Sequence, residues 1–418
     1  MKKRLLILMV ALLATSCGNN NDTPDQKEFY SKDVPEYGIS FDVAPYTVND
    51  TKGVTDSGYF KMHGRHYYES TLQAEFINFS NSGFEVTFVG TTLEGHFFST
   101  RASETESRPY LAVCIDNDYD PDKATPICLT SKTYSNCTGM HGSYYEHEHV
   151  VLAHGLEYGE HTVRVYKKSE CLVSKVAIKA VSTDGELVPV KAKELPLKME
   201  FYGDSVTCGY AVESTDYYEK FCTRTENSLM SYANYCANAL NADVSLISCG
   251  GYPMYKSKYS QGCTPDNIPA MVSLADVEYA TQTEHTWNNA SYVPDVVVVA
   301  LGANDGSILM DLKAESARTL FLKNYKTSYK NFIDKLFTLY PNTTVIVSDE
   351  ILSIDDNFER IMDEIVNEYN SPKVIRAKYT AFERAVDRTM PGEGHPNKEM
   401  QRLAGLELAE LITNALNK

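Results

Sequence analysis

Positive charge is scarce in this chain. Its 418 residues hold 39 Lys and Arg against 56 Asp and Glu, a formal net charge of -17. A surface so acidic repels phosphate backbones, which argues against nucleic acid as a partner. No two cysteines are spaced as CxxC, so the thiolate pairing of a structural zinc site is missing and a zinc site is not expected. After the N-terminus no stretch reaches the roughly 18 consecutive apolar residues of a membrane-spanning helix. Tryptophan occurs once and tyrosine 29 times, a balance that suits a β-rich domain and also contact with sugars. With 43% hydrophobic and 23% charged residues, the chain is globular rather than disordered. Its length corresponds to about two to three domains.

The N-terminus reads as an address. Lys2, Lys3 and Arg4 precede an apolar run over residues 5–13, too short to cross a bilayer. Ala14, Thr15, Ser16 and Cys17 follow and resemble a bacterial lipobox, with Cys17 lipidated after cleavage; an ordinary signal peptide that contains a Cys is the alternative. Residues 1–17 are therefore read as a lipoprotein signal peptide and residues 18–36 as a flexible tether, too polar at its start to fold. The mature protein is expected to be exported and membrane-anchored, periplasmic or at the cell surface. Of ten cysteines, nine remain once Cys17 is set aside. An odd number, mostly within apolar runs, does not read as a disulfide framework, so buried thiols are expected, with Cys128 and Cys137 a pair that a loop could join.

The chain changes character near residue 190. Over residues 37–190 short alternating runs dominate: Phe84, Val86 and Phe88 share one face and Glu85 and Thr87 the other, and Leu111, Val113 and Ile115 repeat the period of two. Polar turns separate them, which predicts a β-sandwich of jelly-roll type. Over residues 197–418 strands alternate with helices. Val296, Val297, Val298 and Val299 form a continuous β-branched run, as in a strand buried on both faces. Tyr325, Tyr329, Phe332, Ile333 and Leu336 stripe one helix, and Met400, Leu403, Ala404, Leu408 and Ile412 another. The expected fold class is α/β, a three-layer parallel sheet between helices, preceded by the all-β sandwich.

The polar residues of interest gather at the predicted strand ends. Gly203-Asp204-Ser205 ends the first strand and opens a helix, where free N–H groups surround the Ser205 hydroxyl. Gly250-Gly251 ends the second; Gly251 is taken as an N–H donor, with Gly250 as the alternative. Gly302-Ala303-Asn304-Asp305 ends the third, where the Asn304 amide can donate to a developing oxyanion. The carboxyl ends of strands in an open parallel sheet form the ligand crevice, so Ser205, Gly251 and Asn304 are expected on one rim. His395, in the loop Gly394-His395-Pro396 before the terminal helix, is the candidate base; His285 lies in a polar stretch and reads as a loop residue. Asp204 and Asp305 read as turn-fixing groups.

These four blocks, in this order, resemble the SGNH (GDSL) hydrolases. Gly64-Arg65, the strand before Gly90-Thr91, the run from Tyr110 to Asp116, Gly155-Leu156, Gly159-Glu160-His161 and Trp287 are similar to carbohydrate esterase family 2, which joins a jelly roll to an SGNH domain. The resemblance implies a serine acetylesterase without metal or organic cofactor, acting on acetylated oligo- or polysaccharides such as xylan or mannan. Ser205 would be the nucleophile and His395 the base, with Ser205, Gly251 and Asn304 as the oxyanion hole. The SGNH pattern usually carries Asp three residues before the His; here that residue is Gly392. The resemblance therefore points to a dyad oriented by a backbone carbonyl, slightly ahead of a triad completed by Glu393. Tyr252, Pro253, Met254 and Tyr255 follow Gly251 and are expected to close the pocket around an acetyl methyl. A lipase, thioesterase or peptidoglycan O-acetylesterase of the same superfamily is an alternative, as is a non-catalytic sugar-binding lipoprotein, against which the four intact blocks argue.

Overall fold

The structure, a computed structural model, describes residues 46–417 except 117–118, 132–136, 192–194, 278–283 and 353–354. The expected signal peptide, Cys17 and the tether of residues 18–36 lie outside the described residues.

Between Asp50 and Val188 the strands form two antiparallel sheets, one of seven strands and one of six. The strand Gly83–Gly90 pairs antiparallel with Gly159–Lys167, setting Phe84 against Val165 and Val86 against Val163. Phe84, Val86 and Phe88 face inward and meet Phe97, Leu111, Val113 and Ile178 in the sandwich core, as the period of two predicts. The opposite face departs from expectation. Glu85 and Thr87 are buried too, because this face of the sheet is turned toward the second half of the chain. Ala112 and Cys114 pack there on Leu229, and Glu85 is paired with Arg164.

The second half is built on five parallel strands: β1 (Leu197–Gly203), β2 (Ala242–Ser248), β3 (Val296–Ala300), β4 (Thr344–Ser348) and β5 (Val374–Ala377). Their order is β2-β1-β3-β4-β5. Successive residues of β3 point to opposite sides, and both sides are covered. Val297 and Val299 meet Tyr325, Tyr329 and Phe332 of the helix Glu315–Leu339. Val296 and Val298 meet Tyr232, Leu403 and Ala404 of the helices Tyr232–Ala239 and Lys398–Leu416. The continuous Val run and both helical stripes thus find apolar partners, and burying each such side chain contributes roughly 1.5–3 kcal/mol.

The two halves are bolted together by buried charge. Arg65, 1% exposed, donates through Nη1 to the carbonyls of Met271 (2.9 Å) and Leu274 (2.8 Å). Its Nη2 reaches Glu200 on β1 at 2.9 Å and the Tyr202 hydroxyl at 3.0 Å. Lys175 pairs with buried Asp276, and Lys168 with Glu213 at 2.8 Å. A guanidinium so desolvated is tolerated because both terminal nitrogens are matched and Glu200 balances its charge, although its Nε has no partner among the described residues.

Candidate active site

Register places the catalytic loops level with one another. Gly203, at the end of β1, pairs with Ser248 of β2 and with Ala300 of β3. The residues that follow each strand therefore emerge on one rim: Ser205, then Gly250 and Gly251, then Asn304. At the first loop the Asp204 carboxylate caps the short helix Ser205–Cys208 by accepting from Val206 N–H at 3.0 Å. This fixes Ser205, which is 7% exposed, at the helix start, where no preceding turn claims its N–H.

The structure brings His395 to Ser205. Its Nε2 lies 2.9 Å from Ser205 Oγ. Its Nδ1 lies 2.7 Å from the Gly392 carbonyl, so Nδ1 carries the proton and Nε2 is left as the acceptor. The Tyr210 ring stacks on the imidazole, with centroids 4.0 Å apart. Burial pushes His395 down to about 4, against the Gly392 carbonyl, which raises it. The ring is thus neutral at neutral pH, the state a general base requires.

Glu393 makes no hydrogen bond to this ring. Both Gly392 (φ 49°) and Glu393 (φ 60°) are left-handed, and their N–H groups donate to the carbonyls of Asp216 (2.9 Å) and Tyr217 (2.7 Å). This turn presents a carbonyl to His395 where a side-chain carboxylate was the alternative. Partial burial raises the Glu393 carboxyl, opposed by Lys220.

Carboxylates hold the turns that carry the candidate oxyanion donors. The Gly250 N–H is taken by the Glu170 side chain, while the Gly251 N–H, on a residue at φ 80°, has no partner among the described residues. Between the two glycines, Gly251 is the one with a donor to offer. The Asn304 amide donates to Asp204 at 2.7 Å and to the Tyr252 carbonyl at 3.3 Å. An oxyanion would replace the longer of these contacts, and such tightening on substrate binding is common. Burial raises Asp204 to about 6, against hydrogen bonds from Val206 and Asn304 that lower it. Glu350 accepts from Ala303 N–H at 2.8 Å; burial and the Asp204 charge push its carboxyl well above the usual range. Asp305 is raised by burial to about 7 and accepts from Met254, Tyr255 and Lys256 N–H groups at 2.8–3.1 Å. Both aspartates fix turns, as their placement in the blocks predicts.

Two features go beyond expectation. Tyr252 and Met254 also pack in the core beneath the sheet face, a role beyond the pocket wall expected of them. Glu170 had no signal in the sequence: it lies in the sandwich half, 80 positions before Gly250. Its own N–H donates to Glu226 at 3.0 Å, and burial raises its carboxyl despite the Gly250 hydrogen bond. Tyr210, one residue past a helix C-cap glycine, was equally silent.

With this geometry in view, the comparisons with known proteins fall into place. Residues 201–403 match the model of the GDSL-like Lipase/Acylhydrolase family. The chain is 28% identical over 345 residues to the cellulase/esterase CelE of Acetivibrio thermocellus, a match spanning 80% of this chain and 38% of that protein. It is also 28% identical over 276 residues to an acetylxylan esterase / glucomannan deacetylase of Cellvibrio japonicus, covering 64% of this chain and 71% of that one. The chain thus spans well under half the length of the first of these relatives. Among solved structures, a family two carbohydrate esterase from Clostridium thermocellum in complex with cellohexaose superposes with a TM-score of 0.69 at 23% identity, over 86% of this chain and 99% of that one. The acetyl xylan esterase Est2A of Butyrivibrio proteoclasticus gives a TM-score of 0.71 at 19% identity, over 88% and 100%. The expected resemblance is borne out: in fold the chain is similar to the family two carbohydrate esterases, and in sequence to CelE and to an acetylxylan esterase / glucomannan deacetylase, with a GDSL-like match over residues 201–403.

Proposed function

We propose that the chain is a serine esterase that removes O-acetyl groups from carbohydrates of the acetylated xylan and glucomannan class. The observation that carries the reading is the 2.9 Å contact between Ser205 Oγ and His395 Nε2, on a ring whose Nδ1 is held by a carbonyl. His395 takes the Ser205 proton as the oxygen attacks the ester carbonyl. The resulting imidazolium is steadied by the Gly392 carbonyl. The N–H groups of Ser205 and Gly251 and the Asn304 amide receive the negative charge, each contributing roughly 3–4 kcal/mol by analogy with other oxyanion holes. Return of the proton to the leaving sugar hydroxyl gives an acetyl-serine, which water then cleaves by the same route in reverse. The substrate class is supported by the similarity to an acetylxylan esterase / glucomannan deacetylase. The experiment is acetate release from acetylated xylan and mannan, beside nitrophenyl esters of two to about eight acyl carbons. Acetate from the polysaccharides and the fastest rate on the shortest ester are expected; a rate that climbs with chain length, with no acetate from either polysaccharide, would assign a lipase instead.

We also infer that the chain is exported and anchored through Cys17. The basic Lys2-Lys3-Arg4, the short apolar run and Ala14-Thr15-Ser16-Cys17 support this. Cys17→Ala should then move the protein from the membrane fraction to the soluble one, and persistence in the membrane fraction would refute the anchor.

A further inference from the structure

Two consecutive residues of the sandwich half meet two consecutive residues of the parallel-sheet half directly behind the candidate oxyanion turn. Glu170 accepts from the Gly250 N–H. Next to it, the Cys171 sulfur lies 3.0 Å from the Cys249 sulfur, across 78 positions of chain. Both side chains are buried, at 2% and 0% exposure. Two unbonded sulfurs do not rest so close; the pair stands only about 1 Å outside a covalent bond of about 2.05 Å. The backbones on either side are already held, by Glu170 at Gly250 and by the Cys249 N–H on the Gly203 carbonyl at 3.4 Å. The remaining gap lies between two side chains whose backbones are already held together across the two halves.

We propose that Cys171 and Cys249 form a disulfide that ties the sandwich to the turn bearing Gly250 and Gly251. The oxidant is an external disulfide, such as oxidised glutathione. One cysteine thiolate attacks a sulfur of that disulfide and expels one thiolate, leaving a mixed disulfide. The second cysteine thiolate then attacks the protein-bound sulfur and expels the other. Two protons leave the protein and two external thiols are produced, so atoms and electrons balance. Burial pushes the folded Cys249 thiol well above its ordinary range, and the thiolate is the attacking species. The bond accordingly forms while the two halves are closing, and the finished link is shielded from reductants.

The test is peptide mapping of the full chain, refolded with a mixture of oxidised and reduced glutathione, then denatured and alkylated without reduction. Trypsin releases Cys171 in residues 169–175 and Cys249 in residues 225–256, which also carry Cys236. A single linked species that separates on reduction is expected, with fragmentation placing the bond at Cys249. Cys249→Ser should abolish that species, while Cys236→Ser should leave it. Alkylation of both Cys171 and Cys249 as separate peptides would overturn the proposal, and so would a bond from Cys171 to Cys236. Because the mapping is done on the unmutated chain, it decides the matter even if a Ser variant fails to fold.

Discussion

The sandwich and the parallel sheet bury their strands by different rules. In the sandwich, Phe84, Val86 and Phe88 alternate with Glu85 and Thr87, so one face is apolar and the other carries charge even where it is covered. In the parallel sheet, Val296 through Val299 are apolar on both faces. Ser205, Gly251 and Asn304 lie just beyond the strand ends of this sheet, where the loop carrying His395 meets them. In the sandwich half it is the loops between strands that carry Arg65, Lys175 and Glu170, which reach across and grip the neighbouring half. One region carries the groups proposed to react, and the other holds their loops in place.

That division can be tested by comparing substitutions on the two sides. Ser205→Ala should have the largest effect, a fall in kcat of about 10⁴-fold or more with melting temperature nearly unchanged; steady-state kinetics alongside a thermal melt would check both halves of the claim. Arg65→Ala should do the reverse. It strands Glu200 in the core, so a loss of about 3–5 kcal/mol in denaturant unfolding is expected, against unchanged kcat in the protein that remains folded. Glu170→Ala should link the two regions: releasing the Gly250 N–H loosens the oxyanion turn, and a displacement of about 1 Å can cost about 10²-fold in kcat. Glu170→Gln, still an acceptor, should recover most of that rate, and equal damage by both variants would show that charge rather than the hydrogen bond matters.

Acidity offers a finer probe of the catalytic side. Only neutral His395 can take the serine proton, and its value is pushed down to about 4. The plateau of kcat/KM should therefore persist below the ordinary imidazole range of about 6.5 and fall with a midpoint near 4 as protonation sets in. A midpoint near 6 would report the Asp204 carboxyl, through its hold on Asn304. The smallest effect is expected from Glu393→Gln, less than about tenfold in kcat, since the Gly392 carbonyl already sits on Nδ1. Loss of a true triad carboxylate can reach about 10⁴-fold, so the same assay separates the two arrangements.

Much of this was legible in the sequence, for physical reasons that also explain what was not. Local periodicity announces which faces are buried, so Phe84, Val86 and Phe88, the Val296 run and the Tyr325 stripe read directly. Strand ends in a parallel sheet converge by topology, so Ser205, Gly251 and Asn304 could be grouped before any distance was known. Contacts between the halves have no such signature. Nothing near Glu170 or Arg65 marks them as partners of Gly250 or Glu200, because the pairing depends on how two independently patterned surfaces meet. The burial of Glu85 and Thr87 escaped for the same reason. The core packing of Tyr252 and Met254 was not legible either, because proximity to Gly251 along the chain does not fix which way a side chain turns.

The left-handed turn at Gly392 also bears on which changes remain open to this lineage. A side chain there would place its Cβ 2.1 Å from the Ala211 Cβ, on a backbone at φ 49° that disfavours any L residue. A single substitution to Asp, the residue common at this place in SGNH proteins, would therefore collide before it could approach His395. Placing a carboxylate at this position requires Ala211 and the turn to change together, because a side chain at Gly392 alone meets the Ala211 Cβ. The carbonyl contact to His395 is in this sense kept by packing at a neighbouring residue, whatever advantage a third group would bring.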